Sequence, residues 1–259
     1  GWPGEKREFL SWQSLESEVK KAVSGSKKIA MEYSPKNGNP YVSRVDAGTI
    51  DLVRSFGAEV VSSGPFLPYF TAVISPKQGE SHIRAAASLD RIVKEIWNWL
   101  GIELKSGRSV TEYDAQQKIL AHFHQANLIT DSPPIVAINA HSADPHFVPE
   151  ERNSSVLKKG DFLLIDLWAK ENHEGAVFGD ITRVAVVDKP SEKQQKVFDV
   201  VSRAQKAGID LVKRRFSEKA FVTGAEVDDA VRKIIEDAGF GKYFVHRTGH
   251  GIDTELHGS

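Results

Sequence analysis

The sequence predicts mixed helices and antiparallel strands, the α+β class, preceded by a smaller α/β unit. Two observations support this prediction. Near Gln78 the spacing of apolar residues changes to a long helical period. Further on, apolar segments at 162–169 and 176–187 flank a short polar turn, a pattern typical of an antiparallel hairpin. We therefore expect two domains, residues 1–75 and residues 76–259.

The first domain reads as strand, helix, strand. Residues 28–33 (KIAMEY) and 58–63 (AEVVSS) are the strand candidates. Residues 43–56 between them are predicted to form a helix, and Gly57 follows as its C-terminal stop. This order predicts an α/β unit that is too short to be a full domain, so we expect it to be the end of an amino-terminal domain.

The second domain begins with a helical pattern at 78–100, and a strand candidate follows at 135–139. Three further helices are predicted by capping boxes, in which a hydroxyl and a Glu or Gln satisfy free amides of the first turn. The boxes are Ser109-x-x-Glu112, Ser191-x-x-Gln194 and Thr223-x-x-Glu226, and Gly239 closes the last helix.

The composition limits the classes of partner. Hydrophobic residues make up 40% and charged residues 27%, as in ordinary globular proteins. A formal net charge of -1 provides no field that would favour nucleic acid or an anionic membrane. The absence of cysteine excludes disulfides and thiolate metal sites. We expect no nucleic-acid partner, no membrane partner and a cytoplasmic location.

Two carboxylates stand where a sheet usually places apolar residues. Asp166 ends an apolar run and Asp180 follows fourteen residues later. If the hairpin is symmetric about His173, the two lie directly opposite each other, about 4.5–5.5 Å apart at Cβ, where like charges repel. Divalent cations would reverse that repulsion. The alternative is that both are solvated at the hairpin ends or paired with Arg183.

A second cluster is rich in histidine. Residues 245–258 read VHRTGHGIDTELHG and contain His246, His250 and His257. Neutral imidazole is a common ligand of divalent metals. The spacing of His246 and His250 matches one face of a helix, but the glycines around His250 argue against a helix. The alternative is a surface loop without function. A loop at 140–151 carries His141 and His146, which by themselves indicate no role.

Taken together, IDLWAKENHEGAVFGDITR and HRTGHGIDTELHG resemble the pita-bread metallopeptidases: aminopeptidase P, prolidase and methionine aminopeptidase, with creatinase sharing the fold. The stretch from KIAMEYSP to EVVSS is similar to the end of the amino-terminal domain in the Xaa-Pro branch. The resemblance extends from about residue 28 onwards. It implies a curved antiparallel sheet with helices outside.

The resemblance also implies roles for six residues. The implied metal ligands are Asp166, Asp180 and His250. The implied catalytic histidines are His146, His246 and His257. The implied cofactor is a pair of divalent ions, Mn²⁺ first, with Co²⁺ or Zn²⁺ as alternatives. The implied substrate is a peptide with proline at its second position, cleaved before the proline by a homodimer.

Some features depart from the family pattern. The spacing of the two Asp residues is longer than usual, and we expect the extra residues in the turn KENHEG. Ala176-Val177-Phe178 replaces a tyrosine-containing sequence. The family's two glutamate ligands would lie beyond Ser259, so we expect the catalytic domain to lack its carboxy-terminal part. Two other functions stay open: a catalytically silent domain that binds peptides or proteins, and a creatinase-like C–N hydrolase.

Overall fold

The computed structural model describes residues 4–38 and 42–258. The chain divides into two compact units, one ending at Ile74 and the other running from Ser75 to Gly258. The assignment of residues 1–75 and 76–259 to an amino-terminal and a catalytic domain stays a prediction.

The first unit contains the predicted strand, helix and strand. Its elements are α1 (Trp12–Val23), β1 (Lys28–Met31), α2 (Ala47–Ser55), β2 (Glu59–Ser62) and the short α3 (Pro68–Thr71). The two strands pair in parallel, with Ile29 opposite Val60. Ile50 and Val53 of α2 pack with Val60 in a small core. Helix α1 was not predicted; none of its residues is buried, and Val19 and Val23 pack against the small core.

The second unit alternates long helices with strands. Its elements are α4 (Pro76–Lys105), α5 (Glu112–Gln125), β3 (Leu128–Ile129), β4 (Ile135–Ile138), β5 (Phe162–Glu171), β6 (Gly179–Val186), α6 (Glu192–Ser217) and α7 (Gly224–Asp237). The capping boxes of α6 and α7, and Gly239 after α7, are confirmed. The strands are antiparallel, so the prediction of an α+β unit is confirmed.

The predicted capping box of α5 was wrong. Thr111, not Ser109, is the N-cap, and its hydroxyl accepts a hydrogen bond from the Asp114 amide at 3.1 Å. The Asp114 carboxylate accepts from the Thr111 amide in return, at 2.8 Å. Glu112 cannot cap because its side chain is fully buried and accepts hydrogen bonds from the backbone amides of Ile138 and Ser155 instead.

Strand β5 is the central strand of the sheet, and its side chains point alternately to the two faces. It pairs with β3, β4 and β6. Its odd-numbered residues, from Leu163 to Ala169, belong to the main core with residues of α4 and α5. Even-numbered residues such as Asp166 therefore point to the opposite face, because successive side chains alternate along a strand. Helix α4 contacts both β5 and β6.

The contact between α4 and β6 is close at Gly179. A Cβ atom on Gly179 would stand 2.8 Å from the backbone nitrogen of Ala86. Real Cβ atoms do not approach that closely, so only glycine lets the helix pack directly on the start of β6. This contact fixes the strand immediately before Asp180.

None of the described helices combines the length and the apolar character that a transmembrane span requires.

Candidate functional site

The register of the β5–β6 hairpin differs from the symmetric one expected. Asp166 lies opposite Thr182, and Asp180 lies opposite Trp168. The two carboxylates are therefore diagonal neighbours rather than a direct pair. A shift of two residues keeps both on the same face, whereas a shift of one would have separated them. The turn is also displaced from KENHEG (170–175), because Lys170 and Glu171 still belong to β5 and pair with β3, while β6 begins only at Gly179.

The carboxylate pair lies in a partly buried environment that opposes ionisation. The Asp180 side chain is 19% exposed. Burial and the nearby Asp166 charge raise the Asp180 pKa to about 6. Burial also raises the pKa of Asp166, against the opposing effect of a hydrogen bond from the Thr182 hydroxyl at 2.5 Å. Arg183 does not neutralise the pair, since its guanidinium lies 3.6 Å from Asp90.

The histidine-rich segment is irregular around His246 and His250, as the glycines predicted. It closes on itself through a bridge in which the Gly258 amide donates to the Gly251 carbonyl at 2.8 Å. The closure brings the rings of His250 and His257 into an edge-to-face contact, with centroids 4.3 Å apart. Two of the predicted site histidines are thus adjacent.

His250 faces the carboxylate pair. Its Nδ1 lies 2.9 Å from the Gly251 carbonyl oxygen, which can only accept, so Nδ1 carries the proton in the neutral ring. Its Nε2 then presents a lone pair, 3.6 Å from Oδ2 of Asp180. Two acceptors facing each other repel unless a proton or another cation lies between them.

Burial and several charged groups of the site change the pKa of His257. Burial lowers its pKa, and the charges of His250, Arg247 and His146 lower it further, while Asp131 raises it. The structure therefore brings His146, from the loop before β5, within electrostatic range of His257. Asp131 is anchored nearby by a hydrogen bond from the Trp168 indole nitrogen at 2.8 Å.

His246 is directed differently. Its Nδ1 lies 2.8 Å from the Arg247 carbonyl oxygen, and its ring meets Phe244 edge to face at 5.2 Å. Among the described residues, no contact was found between this ring and Asp166 or Asp180. The catalytic role implied for His246 stays a prediction.

Several residues that the sequence did not single out hold the segment against the hairpin. The Phe178 amide donates to the Asp253 carbonyl at 3.0 Å, and Lys170 donates to the Thr254 carbonyl at 2.6 Å. His82 of α4 lies 2.7 Å from the Phe178 carbonyl oxygen. Ala176-Val177-Phe178, which replaces the tyrosine-containing sequence, is fully buried beneath these contacts. Only the burial of an apolar triplet next to Gly179 would have been readable from the sequence.

Asp166, Asp180 and His250 offer the kinds of donor atom that divalent metal ions prefer, but they are few. Asp166, Asp180 and the lone pair of His250 Nε2 are hard or borderline donors, and a cation would relieve both the carboxylate repulsion and the acceptor–acceptor contact. Within 4–38 and 42–258, however, no three His, Asp or Glu side chains converge into a group that could hold a metal ion. These three residues fit part of a metal site.

The chain is similar to known proteins over more than half of its length. The model of metallopeptidase family M24 matches residues 80–259. An Xaa-Pro dipeptidase of Pyrococcus furiosus is 37% identical over 123 residues, covering 48% of this chain and 32% of that protein. An Xaa-Pro dipeptidase of Lactobacillus delbrueckii subsp. lactis is 33% identical over 148 residues, covering 57% of this chain and 36% of that protein. The chain thus spans about a third of the length of these curated relatives.

Solved structures agree at the level of the fold. Dipeptidase PepE from Mycobacterium ulcerans has a TM-score of 0.66 at 24% identity, covering 97% of this chain and 61% of that one. The prolidase from Pyrococcus furiosus has a TM-score of 0.60 at 22% identity, covering 96% of this chain and 65% of that one. The pita-bread fold predicted from the resemblance is confirmed. Since the family model matches more than half of its residues, this chain belongs to metallopeptidase family M24.

Proposed function

We propose that the protein hydrolyses the peptide bond between an amino-terminal residue and proline, as an Xaa-Pro aminopeptidase or dipeptidase. The observation that carries the proposal is that Asp166 and Asp180 share one face of the hairpin and that His250 faces Asp180. The charge of Asp166 contributes to the raised pKa of Asp180, and His250 Nε2 lies 3.6 Å from Asp180. The relatives named Xaa-Pro dipeptidase support the choice of bond.

The proposed cofactor is a pair of divalent ions, Mn²⁺ first and Co²⁺ or Zn²⁺ as alternatives, held in part by Asp166, Asp180 and His250. When bound, such ions acidify a water molecule and polarise the carbonyl of the scissile bond. A bond to proline is a tertiary amide, so both effects are needed.

The histidines supply the chemistry on the substrate side. A ring N–H of His257 or His146 can donate a hydrogen bond as negative charge develops on the carbonyl oxygen. It can also donate a hydrogen bond to the proline nitrogen as charge develops there during departure. The lowered pKa of His257 keeps its ring neutral at neutral pH, which favours hydrogen-bond donation over ion pairing with the carboxylates. His246 completes the proposed set.

A second candidate is a catalytically silent pita-bread domain that binds peptides or proteins. The observation in its favour is that no three potential ligands among the described residues form a compact metal-holding group. Fold alone does not decide between an enzyme and a binding module.

The test is an activity assay of the full-length protein with Xaa-Pro dipeptides and Xaa-Pro-Xaa tripeptides, after treatment with chelator and addition of MnCl2, CoCl2 or ZnCl2. We expect metal-dependent release of proline or of the amino-terminal residue, and its loss in Asp166→Asn and Asp180→Asn. Asp210→Asn, an exposed acid of α6 that pairs with Lys206, is the matched control and should stay active.

The alternatives predict other outcomes. Peptide binding without hydrolysis under all three metals would support the silent domain. Turnover of amidine substrates such as creatine, without turnover of Xaa-Pro peptides, would support the creatinase-like hydrolase.

We further propose that the protein is a cytoplasmic homodimer. The absence of cysteine is compatible with a reducing compartment, and the dimer follows from the family resemblance. Cell fractionation and sedimentation of the full-length protein test these two points.

A further inference from the structure

Helix α7 carries two acid–base pairs at i,i+4 spacing that differ in their surroundings. Lys233 and Asp237 form an exposed pair 3.0 Å apart, with side chains 73% and 64% exposed. Arg232 and Asp228 form a pair 2.9 Å apart, with side chains only 28% and 23% exposed. The second pair is partly buried because the chain after α7 folds over it.

Arg232 binds the backbone of that following chain. Its Nη1 donates to the Phe244 carbonyl and its Nη2 donates to the His246 carbonyl, both at 2.9 Å. The guanidinium also lies over the Phe244 ring, 4.4 Å from the centroid. A guanidinium can reach two carbonyls at once because its donors form a rigid fork, which the single ammonium group of lysine does not reproduce.

Asp228 binds the same segment further along. Its Oδ1 accepts hydrogen bonds from the backbone amide and from the hydroxyl of Thr248, both at 2.7 Å. Its Oδ2 accepts from Nε of Arg232 at 2.9 Å. Thr248 stands two residues before His250, so this contact determines where the chain enters the site.

The pair acts from a rigid base. Val231 and Ile235, on the buried side of α7, pack with α6 in a separate core that also includes Phe240 and Phe244. The hydrogen bonds from Asp228 and Arg232 therefore connect the histidine-rich segment to a packed helix pair, while Phe178 and Lys170 hold its other end.

We propose that Asp228 and Arg232 are positioning residues that fix the backbone of residues 244–248 and thereby aim His250 at Asp180. Neither residue contacts the carboxylate pair through any interaction found among the described residues, so each acts through the segment it holds. The consequence for metal affinity rests on the proposed function; the consequence for the backbone does not.

The experiment measures hydrogen–deuterium exchange of residues 244–250, together with Mn²⁺ affinity by calorimetry, in the full-length protein. Arg232→Lys keeps the charge but loses the two-carbonyl fork, and Asp228→Asn keeps one acceptor but loses the ion pair. We expect exchange in this segment to rise about tenfold or more in each variant, with little change in β5 and β6, since charge-assisted hydrogen bonds are lost. We also expect weaker Mn²⁺ binding.

The exposed pair of the same helix supplies the control. Lys233→Met and Asp237→Asn should leave exchange of residues 244–250 unchanged. Equal exchange in the control and in the Arg232 and Asp228 variants would overturn the proposal. Should Arg232→Lys or Asp228→Asn fail to fold, Thr248→Val removes the hydroxyl that donates to Asp228 and should speed exchange, whereas Thr248→Ser keeps the hydroxyl and should leave exchange slow.

The two readouts separate the two proposals. Faster exchange with weaker Mn²⁺ binding supports both. Faster exchange in a protein whose wild type binds none of Mn²⁺, Co²⁺ and Zn²⁺ supports the positioning role and overturns the metal-dependent function. Unchanged exchange overturns the positioning role whatever the metal does.

Discussion

Thr182, not Asp180, lies directly opposite Asp166, and its hydroxyl donates a hydrogen bond of 2.5 Å to the Asp166 carboxylate. Asp180 stands one diagonal step away, opposite Trp168 and facing His250. The two carboxylates thus share one face of the hairpin but have different partners. Burial destabilises the charged form of both, but for Asp166 the Thr182 hydroxyl opposes this effect, whereas for Asp180 the charge of Asp166 adds to it.

Removing the charge of Asp180 should stabilise the metal-free protein. Because its pKa is raised to about 6, ionisation at pH 7.5 opposes folding, and Asp180→Asn should add about 1–3 kcal/mol to the free energy of unfolding. Denaturant unfolding in the presence of chelator measures this change, with Asp210→Asn as the neutral control. A less stable Asp180→Asn protein would mean that the carboxylate is not under electrostatic strain.

Gly179 should not tolerate a methyl group. In Gly179→Ala the new Cβ would stand 2.8 Å from the backbone nitrogen of Ala86, so α4 or β6 must shift, at about 1–3 kcal/mol. Gly101, on the same helix α4, has open space around its Cβ position, and Gly101→Ala should stabilise by about 0.5–1 kcal/mol. Thermal unfolding should therefore move in opposite directions for the two variants, and equal shifts would contradict the close contact.

Glu112 should be among the most sensitive polar residues of the chain. Its buried carboxylate accepts hydrogen bonds from the Ile138 and Ser155 amides, at 2.6 and 2.8 Å, and lies 2.9 Å from His141 Nδ1. Glu112→Ala leaves two amides without this acceptor, and we expect a loss of about 2–5 kcal/mol of stability. Glu112→Gln should lose less because it keeps one acceptor oxygen. Urea unfolding of the two Glu112 variants measures these losses of stability. Glu151→Ala, at an exposed glutamate, is the control and should change stability little.

Glu171 should make the stability of the folded protein depend on pH in the acidic range. Arg84 donates two hydrogen bonds of 2.9 Å to it, and this interaction lowers the Glu171 pKa to about 2 from 4.5. A carboxylate with a lowered pKa stabilises the folded state above its unfolded pKa and loses that contribution as the pH falls through the folded value. The stability difference between wild type and Glu171→Gln should be constant above pH 5 and shrink between about pH 4.5 and pH 2.

Measuring melting temperatures of both proteins from pH 7 to pH 2 tests this expectation. Glu174→Gln, at an exposed acid in the turn that follows β5, should follow the wild type throughout. A stability difference that grows towards low pH would contradict the lowered pKa of Glu171.

Local patterns were sufficient to predict most elements of the fold. The α6 and α7 boxes worked because capping depends on residues three positions apart, within one turn. The α5 box failed because Glu112 is drawn inward by amides of β4 and of the loop near Ser155, which are distant in the sequence. Local chemistry cannot reveal a partner brought by folding.

The sequence alone placed Asp166 and Asp180 in the two strands of one hairpin, whereas their sharing of a face depends on the register, since a shift of one residue would separate them. It also determined that the segment around His250 is not a helix, through its glycines. Only the tertiary structure decided the register, because the pairing of Glu171 with β3 extends β5 into the expected turn. Only the tertiary structure placed Asp228 and Arg232 against residues 244–248, because hydrogen bonds between separate segments leave no periodic pattern in the sequence.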